Sequence, residues 1–303
     1  MDMPTDDRIA EKLSRQCRRG FRRDEPMARH TSIGAGGNAR YFAIPGSARE
    51  VVGLVRTAIE HGVEYMGVGR GSNLLVRDGG YDGLIIKVTG SMGRVRLYKR
   101  SVFAEAGASF TRVGRIATRN GRPGFEFAIG IPGSVGGAVR MNAGAFGSEL
   151  ASVVKSVKVI DGQGRIVLLA PGDLAFRYRE SALPPRAIVL SATFHCPPGK
   201  MDGTQLERTL SRKQNQPLSE RSFGSTFKNP PGGFAAKLIE QCGLKGERRG
   251  GAMISEKHAN FMINVGEDTH ANDFEDLIEV VIERVDAHFG VRLRPEVVVI
   301  GNR

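Results

Sequence analysis

Seven glycines fall within Gly124–Gly147, GFEFAIGIPGSVGGAVRMNAGAFG, where charge appears only at Glu126 and Arg140. A flexible linker would be Ser-rich and polar. This run instead carries Phe125, Phe127, Ile129, Ile131, Val135, Val139 and Met141, which favour burial. Missing Cβ atoms at Gly133, Gly136 and Gly137 let the backbone take positive φ or approach a ligand closely. Ser134 and Asn142 add a hydroxyl and an amide, and the N–H groups of such a turn can form a nest for an anion. A tight turn between two buried elements accounts for the same residues, so both readings stand on this stretch alone.

A second glycine loop, GVGRGSNLLVRDGG from residue 67, follows a strand, as a dinucleotide-binding turn would. The G-x-G-x-x-G pattern fails, because position 74 is Leu and the apolar run LLV follows where a helix should start. Ser72 and Asn73 sit where they could bind phosphate; an ordinary hairpin turn explains them equally. No G-x-x-x-x-G-K-[ST], H-E-x-x-H or G-x-S-x-G motif occurs.

The elements around these loops read as follows. Residues 6–19 suggest a polar, peripheral helix, and 39–44 a short strand. Ser47 opens an amphipathic helix that Gly62 closes, and 65–68 is a strand. Further strands are expected at 101–107 and 188–195, with a helix over 110–120. A hairpin over 153–169 turns at Asp161-Gly162-Gln163-Gly164. Beyond CPPGK near residue 200, helices are expected at 205–213, 234–242 and 273–289, the last capped by Gly290, and then a strand over 291–300.

At 303 residues the chain exceeds one ordinary core. No apolar run is long enough for a membrane span, and the first residues lack the apolar core of a secretory signal. Cys17, Cys196 and Cys242 are widely spaced, which argues for reduced thiols in a cytoplasm and against a zinc site. The net charge of +12 can serve nucleic acid, a membrane surface or a small polyanionic ligand. The densest cluster (Arg15, Arg18, Arg19, Arg22 and Arg23) reads as a solvated helix face. With no RNP-type or zinc-finger pattern, nucleic acid is not expected as a partner.

HTSIGAGG, GVGRGSNLLVRDGGYDG, GIPGSVGGAVRMNAGAFG, YRES, GSTFKNP, AAKLIEQCGLKG, ISEKHANFMIN and RPEVVVIG occur here in one order, between about residues 28 and 301. Together they resemble the UDP-N-acetylenolpyruvoylglucosamine reductases, in the compact class lacking an inserted segment with a substrate-closing Tyr. The resemblance implies an α+β chain whose FAD-binding fold is of the vanillyl-alcohol oxidase type. It would have a FAD-binding domain at 1–200, of two subdomains divided near 90–100, and an α+β substrate domain at 201–303. It implies FAD and NADPH, a UDP-sugar enolpyruvyl ether as substrate, a monomer, and no metal.

Residue by residue, the resemblance implies flavin contacts at Gly67, Gly69, Arg70, Gly71, Ser72, Asn73 and Leu74. Further contacts are implied at Pro132, Gly133, Ser134, Gly136, Gly137, Asn142, Ala143 and Gly144. It places a proton donor at Ser225, a cation at Arg179 and an acid at Glu296, with Tyr178, Arg212, Lys213, Asn229 and His258 lining the substrate. The chemistry needs those types: Arg stays charged and forks onto a carboxylate, and a desolvated Glu can share a proton with a developing enol. Four positions depart from the family's usual residues: His30 before Thr-Ser, Arg140, Val298 where a base often sits beside Glu296, and Phe146 for a frequent Tyr. A flavin-dependent alcohol or lactone oxidase of the same fold is one alternative, against which GSTFKNP and HANFMIN argue; a non-catalytic basic binding protein, which would purify colourless, is another.

Overall fold

The computed structural model describes residues 5–18, 20–201 and 203–303, with the side chains of 205, 208, 210 and 212–214 outside that description. The chain forms two compact units. Met1–Glu25, Arg40–Arg70 and Gly83–Arg212 make the first; Pro26–Ala39, Gly71–Asp82 and Lys213–Arg303 make the second.

The first unit is built on two sheets. One has four strands, in the order Phe21–Pro26, Asn38–Ala43, Tyr81–Lys87 and Tyr65–Val68. The other has five, in the order Ile166–Leu169, Val154–Ile160, Ile188–His195, Ser101–Glu105 and Val95–Leu97, all antiparallel neighbours. The helix Ala48–Glu60 begins where Ser47 Oγ accepts from Glu50 N and the Glu50 carboxylate accepts from Gly46 N. That reciprocal pair satisfies N–H groups a helix start leaves open. Its apolar face, Val51, Leu54, Val55 and Ala58, is buried at helical spacing.

The first helix is Thr5–Gln16, and it is not merely peripheral, because Ala10, Leu13 and the following Cys17 belong to the core of the unit. It ends too early to carry the arginine cluster as one face: Arg22 and Arg23 lie on the next strand, and Arg19 lies outside the described residues. Asp6 accepts from the Tyr41 hydroxyl, Arg40 and Arg23. The Tyr41 bond first, and Arg40 next, hold its carboxyl below the ordinary 3.8. A carboxylate with a lowered folded pKa contributes stability above its unfolded pKa and loses it as pH falls through the folded value. Asp6→Asn should therefore lower stability at neutral pH, by at most about 1 kcal/mol for this partly exposed cluster. Urea unfolding should show the gap closing in acid; a gap that persists there would count against the network.

The second unit has its own apolar core, around Phe223, Phe227, Phe274, Leu277, Val281 and Val285. A four-stranded sheet runs Ser222–Ser225, Phe261–Asn264, Ala252–Ile254, Arg248–Arg249. The helix Ala271–Phe289 buries Phe274, Leu277, Ile278, Val281, Ile282 and Val285, a single 3.6-period stripe. Gly290 ends it at φ 64°, the left-handed conformation that glycine takes without a Cβ penalty. The expected strand over 291–300 is shorter, Val298–Ile300, pairing in parallel with Leu74–Val76. Upstream of it Pro295, which has no N–H to give, makes only an isolated bridge with Phe227.

Candidate active site

In the second unit, three distant segments converge on Thr226. Ser225 ends its strand opposite Phe261, and the next residue, Thr226, is buried. The Thr226 carbonyl accepts from Glu296 N at 2.7 Å, and Thr226 N donates to the Asn260 carbonyl at 2.9 Å. From the glycine loop, Asn73 Nδ2 donates to the Glu296 carbonyl at 2.9 Å. Ser225 and Glu296 therefore sit on neighbouring backbone segments, both half-buried, with Asn73 closing the third side. Gly224, at φ 78°, takes a left-handed conformation that L side chains rarely adopt.

This geometry changes what Asn73 offers, because its amide is committed to a protein carbonyl. Leu74 is buried and starts the parallel pair with Val298. Gly71 is a fold requirement: its φ is 66°, and a Cβ would stand 2.2 Å from the His30 carbonyl oxygen. His258 Nδ1 accepts from Asn260 N at 3.2 Å, so the neutral ring carries its proton on Nε2. The exposed Asn229 has its Oδ1 on Ala235 N, at the start of the helix Ala235–Gln241. Arg212 and Lys213 lie on the helix Gly203–Asn215, but their side chains are outside the described residues.

In the first unit, the two glycine stretches meet. A Cβ on Gly69 would lie 2.1 Å from Ser134 Oγ, and one on Gly67 would lie 2.9 Å from Ile188. Ser134 caps the short helix Val135–Arg140 by accepting from Gly137 N, and it bridges to Ser109. Phe110 N donates to the Gly133 carbonyl and Val135 N to Ala108, so the turn beginning at the exposed Pro132 lies along Ala108–Phe110. Gly133 takes φ 133°, a region closed to L side chains. Gly136 serves packing instead, a Cβ there standing 3.2 Å from that of Ala106.

Asn142 is fully buried at φ 40°; its Oδ1 accepts from Ala151 N and its Nδ2 donates to the Arg177 carbonyl. Its side chain is thus spent on the fold. Next to it, Ala143 is buried and the Gly144 carbonyl accepts from Arg179 Nη2 at 2.8 Å. Arg179, at φ 57°, also stacks on the exposed ring of Tyr178, its guanidinium 4.9 Å from the centroid. Those contacts fix the direction of the guanidinium.

Residues 39–170 match the family model of an FAD binding domain, and residues 216–300 that of the UDP-N-acetylenolpyruvoylglucosamine reductase C-terminal domain. A UDP-N-acetylenolpyruvoylglucosamine reductase of Streptococcus pneumoniae (strain JJA) is 45% identical over 281 residues, 91% of this chain and 93% of its own. One from Streptococcus pyogenes serotype M49 (strain NZ131) is 45% identical over 285 residues, covering 93% and 96%. This chain belongs to the UDP-N-acetylenolpyruvoylglucosamine reductase family. The solved reductase of Thermus caldophilus superposes with a TM-score of 0.76 at 33% identity, over 92% of this chain and 97% of that one.

A flavoenzyme of this reductase family needs a place for the FAD diphosphate, and the first unit has one that fits. A cavity of about 520 Å³ is lined by Arg70, Lys87 and Arg112, together with Gly107, Ala108 and Ser109. Ser109, which lines this cavity, is the residue bridged to Ser134 of the glycine turn. Of this lining, sequence reasoning reached only Arg70. Lys87 ends an apolar strand, and Ser109 and Arg112 open the helix Phe110–Arg119, which the sequence led us to expect; nothing local marks Lys87, Ser109 or Arg112 as lining one cavity.

Burial, and then the like charges of Arg22 and Arg70, lower the Lys87 pKa. A cation so placed favours an anionic ligand while charged and stops doing so once deprotonated. FAD affinity should therefore weaken as pH rises from neutral through the lowered Lys87 pKa. Lys87→Met should bind FAD about tenfold more weakly at neutral pH, the worth of one charge-assisted hydrogen bond, and lose that pH dependence. Titrating apoprotein with FAD by fluorescence checks both; parallel pH profiles in the two proteins would exclude Lys87.

Proposed function

We propose that this protein reduces the enolpyruvyl ether of UDP-N-acetylglucosamine enolpyruvate to the lactyl ether of UDP-N-acetylmuramate, with NADPH as reductant. FAD, when bound, supplies the hydride equivalent, taken from NADPH, for the terminal enolpyruvyl carbon. Everything else falls to the chain. The carbon next to the carboxylate gains electron density and must be protonated, and Ser225 is assigned as the donor of that proton. A hydroxyl is a weak acid, so the role requires a strongly basic carbanion held at hydrogen-bond distance. Glu296, on the segment bonded to Thr226, stabilises the enol form of the same carboxylate. Arg179 forks onto the carboxylate and offsets its growing charge. Asn229, Arg212, Lys213, Tyr178 and His258 are assigned to the UDP-sugar.

The domain reading places flavin binding on 1–200 and the substrate domain on 201–303. The working form is taken as a cytoplasmic monomer with no nucleic-acid or membrane partner. Among the described residues, no helix is long and apolar enough to cross a membrane.

One observation carries this reading: the 45% identity spanning 91% of the chain. The test is the visible spectrum. Anaerobic NADPH should bleach the flavin, and the enolpyruvyl UDP-sugar should restore it. A flavin restored by oxygen and not by the UDP-sugar would make the protein an oxidase instead.

A further inference from the structure

Ser225 and Glu296 are brought together by a strand-like segment, 226–228, that is bonded on both edges. On one edge Glu296 N donates to the Thr226 carbonyl at 2.7 Å and Lys228 N donates to the Arg294 carbonyl at 2.9 Å. The other edge ought to be a neighbouring strand, and there the chain turns away. Residues 258–261 form a tight turn, with Phe261 N donating to the His258 carbonyl. The register between the strands Ser222–Ser225 and Phe261–Asn264 also shifts between Ser222 and Ser225. Backbone alone cannot satisfy Phe227 there.

Asn260 takes over that edge. Its Oδ1 accepts from Phe227 N and its Nδ2 donates to the Phe227 carbonyl, both at 2.9 Å. Its own carbonyl accepts from Thr226 N, and its N–H donates to His258 Nδ1. Asn260 is only 4% exposed. A primary amide offers a donor and an acceptor side by side at any pH, as a paired strand does. A buried Phe227 left unpaired would lose both bonds.

We propose that Asn260 is the positioning residue of the reaction: by standing in for a missing strand it fixes segment 225–228 against the Glu296 segment, and so holds Ser225 beside Glu296. The same residue orients the His258 ring through Nδ1, which ties a substrate-lining group to the frame that carries Ser225. Asn260 itself touches neither substrate nor cofactor. This inference rests on Ser225 and Glu296 being the reacting pair.

The test uses the holoenzyme with Asn260→Asp. Ionised aspartate keeps the acceptor for Phe227 N but turns a second oxygen toward the Phe227 carbonyl, which opposes the pairing without changing volume; a protonated carboxyl would donate as the amide does, so the variant is read at a pH above its carboxyl pKa. FAD content and bleaching by NADPH should match the parent protein. The limiting rate of flavin reoxidation at saturating enolpyruvyl UDP-sugar should fall about 10²-fold, the cost of a misplacement near 1 Å, with little change in half-saturation. Asn260→Ser, which keeps the backbone bonds and removes only the amide pair, is read by the same criteria. Reoxidation at the parental rate overturns the proposal. So does loss of FAD, equal slowing of both half-reactions, or failure of both variants to fold, since each makes Asn260 a general structural residue. Ser225→Ala is run alongside: if it reoxidises normally, the assignment of the reacting pair fails, whereas slow Ser225→Ala with normal Asn260 variants removes the positioning role alone.

Discussion

In Ser225→Ala, NADPH should bleach the flavin near the parental rate, while reoxidation by the enolpyruvyl substrate should slow by roughly 10²-fold or more. The asymmetry follows from the chemistry. Hydride transfer from NADPH generates no carbanion, so a proton donor has nothing to do in that half. Ser225→Cys should recover part of the second half-reaction, because a thiol also donates a proton from a similar reach. Arg179→Lys should slow the same step without such rescue, since an ammonium keeps the charge but cannot fork onto a carboxylate. Stopped-flow absorbance separates the halves. If Ser225→Ala impairs both equally, Ser225 positions the fold or the flavin, and Glu296 becomes the donor to examine.

Gly133→Val should give a folded, colourless protein. The φ of 133° at Gly133 is unavailable to a β-branched residue, so the turn must reshape. Strain of about 3 kcal/mol, spent on restoring the turn when FAD binds, would weaken binding by about 10²-fold. The contacts that anchor the turn, from Phe110 N and Val135 N, lie in backbone and can survive a local shift. The measurement is FAD per chain after purification, with circular dichroism to confirm folding. Stoichiometric flavin in the variant would mean that the cradle lies elsewhere. Gly71 offers no comparable test, because a side chain there meets the His30 carbonyl at 2.2 Å and disturbs the second unit itself.

Much of the local architecture was legible from particular residues. Ser47 announced the start of a helix and Gly290 the end of another, because caps answer to backbone limits that a few neighbouring residues determine. The strands Tyr65–Val68 and Ile188–His195 stand where their apolar runs put them. The long C-terminal helix showed its stripe in advance. The motifs in series were enough to point to the reductase family, and the comparisons agree. The last strand was overestimated because an apolar run says nothing about which N–H groups find a partner, and only Val298–Ile300 do so in a ladder.

By itself, then, the sequence determined the caps, the turns, the periodic faces and the family, all of which depend on short-range conformational limits or on motifs in order. Tertiary structure decided what the polar side chains are for. Asn142 and Asn73, both plausible phosphate ligands as isolated residues, are held by protein groups that no local pattern names; the Asn73 partner lies 223 positions away. Lys87 and Arg112 became a cationic wall only when a strand end and a helix start met across one cavity. Asn260 acquired its place because the chain turned where a strand was needed. The physical reason is common to all of them: a hydrogen-bonding group declares its type in the sequence, but its partner is chosen by packing, which brings together groups that the chain keeps far apart.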